Sequence, residues 1–116
     1  MTNFSSAQQN FITALKAPDF MFETTLEFIE TWYEFTPTAF TNGKVENNAS
    51  ENQGSCKIFA LQKLLNLTTE QTLLSFGQHY RDVLKTPNAE NHFNLRTVVN
   101  NNSVDVEFES FPLKLK

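Results

Sequence analysis

Apolar residues recur along this chain at intervals that switch from helical to extended and back. Phe4, Phe11, Ile12 and Leu15 share one face at helical spacing, and Pro18 closes the run, so a helix is expected over residues 5–16. Residues 19–33, DFMFETTLEFIETWY, put Phe22, Leu26, Ile29 and Tyr33 on one stripe and Met21, Phe28 and Trp32 on another. A helix with two apolar stripes packs on both sides, which predicts a central position. Pro37 lacks an N–H and drives Thr36 toward extended geometry, so that helix must stop before it. TAFTNGKVE then reads as a hairpin over 38–47 with Asn42-Gly43 at its turn, and ENNASENQG (46–54) as an exposed loop.

Beyond the loop the helical period returns. Cys56, Phe59, Ala60 and Leu64 repeat on one side and Ile58, Leu61 and Leu65 fill the other, the signature of a buried helix. Thr68 and Gln71 stand at the spacing of a capping box, opening a helix through Leu73, Phe76, Gly77, Tyr80 and Leu84 that ends before Pro87. A last helix over about 89–99 aligns His92, Leu95 and Val99. In SVDVEFESF, Val104, Val106 and Phe108 alternate with Asp105, Glu107 and Glu109, a half-buried strand over 104–109. The expectation is an α+β fold of about five helices packed with a small antiparallel sheet, made of the hairpin and the C-terminal strand.

The 116 residues suit a single domain, 1–116, and 12 phenylalanines predict an aromatic core. Nine basic and 13 acidic residues give a net charge of −4. The basic residues are scattered, so neither nucleic acid nor an anionic membrane surface is an expected partner. One cysteine excludes an internal disulfide. No apolar run approaches the ~20 residues of a membrane span. The N-terminal MTNFSSAQQNF lacks the basic and apolar regions of a secretory signal, which makes the cytoplasm the expected compartment. The four N-x-[ST] sequons, at Asn3, Asn48, Asn66 and Asn101, then follow from an asparagine-rich composition.

Four blocks in order, YEFTPTAFTNG (33–43), NQGSCKIFA (52–60), FGQHYRDVL (76–84) and HFNLR (92–96), resemble the HopJ type III effector family. The resemblance implies small bacterial proteins named after a plant-pathogen effector, with no defined biochemical activity. Two positions depart from the family pattern. An asparagine-rich turn replaces a Gly-Trp pair before the last strand, and Asn91 stands where an Asp usually precedes the histidine. The effector name brings translocation into a host as one alternative, although the helix expected from Ser5 leaves almost no free N-terminal tail.

The candidate chemistry gathers at Gly54-Ser55-Cys56-Lys57. With Ser55 as N-cap, Cys56 and Lys57 occupy a first helical turn whose free N–H groups favour anions. A thiol there has a lowered pKa, and its base would be His79 or His92; His92, on the Leu95–Val99 stripe, is the candidate, so a Cys56/His92 thiol enzyme is a second alternative. Against it, cysteine is among the most buried residue types, and a lone histidine on an apolar face is usually a core residue. The phosphate-loop pattern fails, since Ala49 is not Gly and Cys56 separates Gly54 from Lys57. Cys56, His79 and His92 lack metal-ligand spacing, so neither metal nor cofactor is expected. Glu23, Glu27, Glu30 and Glu34 make a solvated ridge. Arg81, beside Tyr80 and Asp82, is a candidate anion ligand whose commoner use is a structural ion pair. The favoured reading is a non-enzymatic binding or regulatory module, with Ser55, Lys57 and Arg81 as candidate contacts to a small anion and a protein partner as the other possibility.

Overall fold

The structure, a computed structural model, describes residues 3–116. Among them are six helices: α1 (Phe4–Ala14), α2 (Phe22–Trp32), α3 (Gln53–Leu65), α4 (Thr69–Leu74), α5 (Gln78–Lys85) and α6 (Phe93–Asn101). Five short strands accompany them: β1 (Tyr33–Phe35), β2 (Phe40–Asn42), β3 (Val45–Asn47), β4 (Val106–Phe108) and β5 (Leu113–Leu115). The α+β class is as expected, and the helix count rises from five to six at Gly77. That residue has φ 58 and ψ −127, a conformation essentially reserved for glycine, and it divides the expected single helix into α4 and α5. The close approach of Gly77 to the backbone of Met21 and Phe22 leaves no room for a Cβ.

The hairpin and the strand after α6 pair as the alternation required. The three-stranded order is β3-β2-β4, with Phe40 opposite Asn47 and Phe108. The turn is shifted by one residue from the expected one. Gly43 alone has positive φ, the pattern of a type II′ turn over Gly43-Lys44, and Asn42 is a buried strand residue. A second sheet, β1-β5, was not expected. The segment from β4 to β5 runs antiparallel to the segment from β1 to β2, and the two prolines, Pro37 and Pro112, interrupt one ladder to make two. Bonds continue on either side of the gap: Thr36 N–H donates to Pro112 O (2.8 Å), Glu109 N–H to Ala39 O (2.9 Å), and Ser110 N–H to Thr38 Oγ1 (3.1 Å).

Helix α3 lies between two apolar clusters. Cys56, Ile58 and Phe59 face Phe40, Phe76, Leu95, Val98 and Val106. Ala60 and Leu61 face Phe11, Leu15, Phe20, Phe28, Ile29, Tyr33 and Leu113. That is why this helix is apolar nearly all round. Helix α1 uses Phe11 and Leu15 as expected, and Asn3 caps it by accepting the Ser6 N–H (2.8 Å). Met1 and Thr2 of the N-terminal stretch lie outside the described residues. The Thr68–Gln71 capping box is present with both bonds, Gln71 N–H to Thr68 Oγ1 (3.0 Å) and Thr68 N–H to Gln71 Oε1 (2.9 Å).

Candidate functional site

Helices α3 and α6 begin differently from the sequence expectation, and the difference creates a cavity. Helix α3 starts at Gln53, three residues before the expected start at Cys56, because Asn52 turns into the left-handed region at φ 54. Gln53 braces this start by donating to Glu51 O (2.7 Å), and Glu51 Oε1 accepts the Asn48 N–H (2.9 Å). Ser55 is therefore inside the first turn and not its cap, and the Cys56 N–H is already bonded to Asn52 O (3.1 Å). Helix α6 starts at Phe93, four residues later than expected, behind His92, itself left-handed at φ 54. His92 thus stands outside the Leu95–Val99 helical stripe.

Neither Asn52 nor His92 caps its helix with a side-chain hydrogen bond. A left-handed residue followed by right-handed ones orients successive N–H groups into an anion-favouring concavity. Four asparagines tie the two helix starts together. Asn47 Oδ1 accepts from Asn52 Nδ2 (2.8 Å) and Asn94 Nδ2 (2.9 Å). Asn42 Nδ2 donates to Asn94 O (2.9 Å) and Oδ1 (3.1 Å). Asn42, Asn47 and Asn94 are buried, and no buried side-chain nitrogen or oxygen among the described residues lacks a partner. A fully satisfied polar network of this kind holds its members in one arrangement.

The helix starts open on a cavity of about 290 Å³ lined by Asn52, Gly54, Ser55, His92, Phe93, Asn94 and Leu95, and closed by Phe22, Phe76 and His79. The two imidazoles are adjacent, with ring centroids 4.9 Å apart. His79 also meets the Phe22 ring edge-on at 4.9 Å, and His92 Nε2 lies 3.7 Å from Asp82 Oδ2. Burial, followed by the neighbouring His92, holds His79 below its usual pKa, while Glu23 and Asp82 pull it upward. Neither of those carboxylates lines the cavity.

The Asp82 end of this arrangement is anchored by α5. Gln78 Oε1 accepts the Phe22 N–H (2.8 Å) and its Nε2 donates to Glu23 Oε1 (2.8 Å), supplying the cap that Met21 does not. Arg81 donates to Phe20 O (2.7 Å), which fixes the entry into α2. The loop leading to His92 is anchored by Arg96, a buried guanidinium. It donates to Thr86 O (2.5 Å), Thr86 Oγ1 (3.0 Å), Asn91 O (2.5 Å) and Asn91 Oδ1 (2.8 Å). No carboxylate among the described residues pairs with it.

A family model described as HopJ type III effector protein matches residues 8–113. The chain belongs to the HopJ family. A solved structure described as the unknown function protein VPA0580 is similar to this HopJ chain, with 45% identity and a TM-score of 0.84 over 93% of this chain and 92% of that one. No curated protein sequence matches this HopJ chain. Among the described residues no helix is long and apolar enough to cross a membrane.

In this HopJ fold the sequence candidates separate. Ser55 and His92 line the cavity, whereas Cys56 is fully buried behind it, with 0% exposure. Burial pushes the Cys56 thiol up to about 11, against the smaller opposing pulls of a Thr38 backbone hydrogen bond and Lys57. The Lys57 ammonium lies 4.8 Å over the Phe35 ring, and neither it nor Arg81 is part of the cavity lining. His79, singled out from sequence only as a second possible base, joins His92 here. Asn52, Asn94 and Phe93 went unnoticed. For Asn42 and Asn47 a signal existed, since they alternate inward with Phe40 and Val45 along the hairpin.

Proposed function

We propose that this HopJ chain is a non-enzymatic binding module acting inside the cell, whose ligand is a small anion held in the cavity between the starts of α3 and α6. The observation that carries the reading is the pair of imidazoles, 4.9 Å apart, lining one cavity. Burial, and then the neighbouring His92, hold His79 below its usual pKa, and an anion in the cavity would offset both. The backbone amides of the two helix starts add donors of the same sign. Glu23 and Asp82, which pull the His79 pKa upward, both lie outside the cavity lining. A nucleophile–base pair needs hydrogen-bond contact, and the ring contacts of His79 and His92 are with Phe22, Asp82 and each other. Binding is therefore the reading best supported.

The test is a titration of the protein with sulfate, which stays dianionic over the whole range, followed by amide and imidazole NMR shifts. Saturable shifts centred on Ser55, Asn94, His79 and His92 are expected, with affinity rising as pH falls from 7.5 to about 5.5. Binding takes up a proton, because the anion raises the His79 pKa toward and above its usual value. His79→Phe should weaken the pH dependence, leaving only the part that His92 contributes. An absence of saturable shifts at either pH would sink the reading.

A further inference from the structure

The cavity has a second wall that a bare inorganic ion does not use. Besides the polar groups, Phe22, Phe76 and Phe93 line it. Phe22 and Phe76 are stacked, with centroids 6.2 Å apart and planes 15° from parallel, and both contribute apolar surface to the cavity. Phe93 is 45% exposed, in the first turn of α6 directly after His92. No aromatic partner is recorded for its ring among the described residues, although the rings of Phe22, Phe59, Phe76 and Phe108 all have one. Gly54 accommodates the aromatic wall from the other side. A Cβ there would lie 3.1 Å from Phe22 Cζ, forcing the ring to shift.

The volume points the same way. About 290 Å³ is more than an inorganic oxyanion fills, and it lies at the lower edge of the ~300–1,000 Å³ typical of small-molecule sites. The polar lining comes from separate directions, with His79 on α5, His92 and Asn94 at the start of α6, and Ser55 on α3. A planar carboxylate offers two oxygens in one plane, whereas a phosphoryl group presents three around a tetrahedron.

Resting on the anion-binding reading above, we propose that the cavity selects a small organic phosphomonoester with a flat, apolar body. Its phosphoryl group meets His79, His92 and the helix starts, and its body lies against Phe22 and Phe93. The exposed Phe93 is the specificity-determining residue, because it is the aromatic wall residue free to close on a ligand without leaving the core.

Three probes at pH 7.5 test this on the full chain: inorganic phosphate, phenyl phosphate and benzoate, each followed by calorimetry and amide shifts. Phenyl phosphate is expected to bind about tenfold tighter than inorganic phosphate, the scale of one aromatic contact. In Phe93→Ala phenyl phosphate should lose more affinity than inorganic phosphate does, so that the advantage shrinks to about threefold or less. The exposed position of Phe93 keeps this variant folded, and an unchanged thermal transition verifies it. Equal affinity for phosphate and phenyl phosphate overturns the phosphomonoester assignment but leaves anion binding standing. Benzoate binding tighter than phenyl phosphate overturns the phosphoryl preference, and an undiminished advantage in Phe93→Ala overturns the role of that ring. Failure of all three probes, at pH 7.5 and again at pH 5.5, removes both this inference and the reading beneath it.

Discussion

On one side of α3, Phe11 stacks on Phe28 at 4.6 Å and meets Phe20 edge-on at 6.1 Å, and Leu15, Ile29 and Leu61 complete the contact. On the other side the same helix begins beside asparagine amides, two imidazoles and residues in left-handed backbone. The first region is held by area removed from water, which depends on amount and shape and tolerates similar replacements. The second is held by directional bonds and special backbone geometry, which tolerate almost none. The more demanding construction surrounds the cavity. Strained and fully bonded elements of that kind are spent where side chains must be aimed, and here they aim His79, His92 and the first turns of α3 and α6.

The largest break should come at Gly77. Gly77→Ala adds a Cβ where the Met21–Phe22 backbone already lies, at a φ and ψ that only glycine adopts comfortably. A loss of about 3 kcal/mol or more is expected in urea denaturation. A loss below ~1 kcal/mol would mean that the α4–α5 break is not rigid.

A matched pair of variants sharpens the contrast between the two regions. Phe11→Ala should cost about 3–5 kcal/mol through the emptied ring site. Asn94→Ala should cost about 1–3 kcal/mol, because it removes three buried side-chain bonds, to Asn42 Nδ2, Asn47 Nδ2 and Asn47 Oδ1, while the Asn94 backbone oxygen and Asn52 keep part of the network. Both are destabilising, yet only Asn94→Ala should weaken sulfate binding under conditions where each variant remains folded. Equal effects on binding would erase the distinction drawn here.

A smaller effect, of opposite sign, is expected at Asn91. Arg96 is 8% exposed and its guanidinium is met only by neutral oxygens of Thr86 and Asn91. Asn91→Asp places a carboxylate at the existing 2.8 Å contact with Arg96 Nη2. A gain of at most about 1 kcal/mol is expected, since Asn91 itself is exposed. The paired carboxylate would have a depressed pKa, so the gain is present near neutral pH and disappears in acid.

The smallest effects concern protons. His79 in the folded chain titrates below its usual 6.5. As pH falls through 6.5 the unfolded chain takes up its proton first, so this group removes stability until pH has passed the lower folded value. His79→Phe should flatten that acid slope in thermal denaturation measured between pH 7.5 and about 5. For Cys56 the shift is upward, to about 11, so its contribution is intact below the unfolded thiol value and lost as pH rises toward 11. Alkylation of the folded chain at pH 8 should be slow and should accelerate on unfolding. Rapid labelling at pH 6 would return Cys56 to the list of reactive thiols.

The sequence by itself determined those features whose cause is local or strictly periodic. The face of α1, the capping box at Thr68, the largely apolar circumference of α3 and the pairing of the hairpin with Val106–Phe108 were legible from spacing. Of the stripes read on α2, by contrast, Met21 stays 43% exposed and the unmarked Thr25 is buried. The tertiary structure alone decided where helices break and what gathers at their ends. Gly77 ends α4 because α2 passes against it, and no pattern around Gly77 records Met21 and Phe22. The second sheet depends on Pro37 and Pro112 falling at adjacent positions of a ladder that joins residues far apart in the chain, with Pro112 across from Thr36. The cavity depends on Asn47 reaching Asn94, and on Gln78 reaching Phe22 so that His79 meets His92. A period of 3.6 or 2 states which face of an element is buried, but it carries no information about which distant amide or imidazole will complete a bond there.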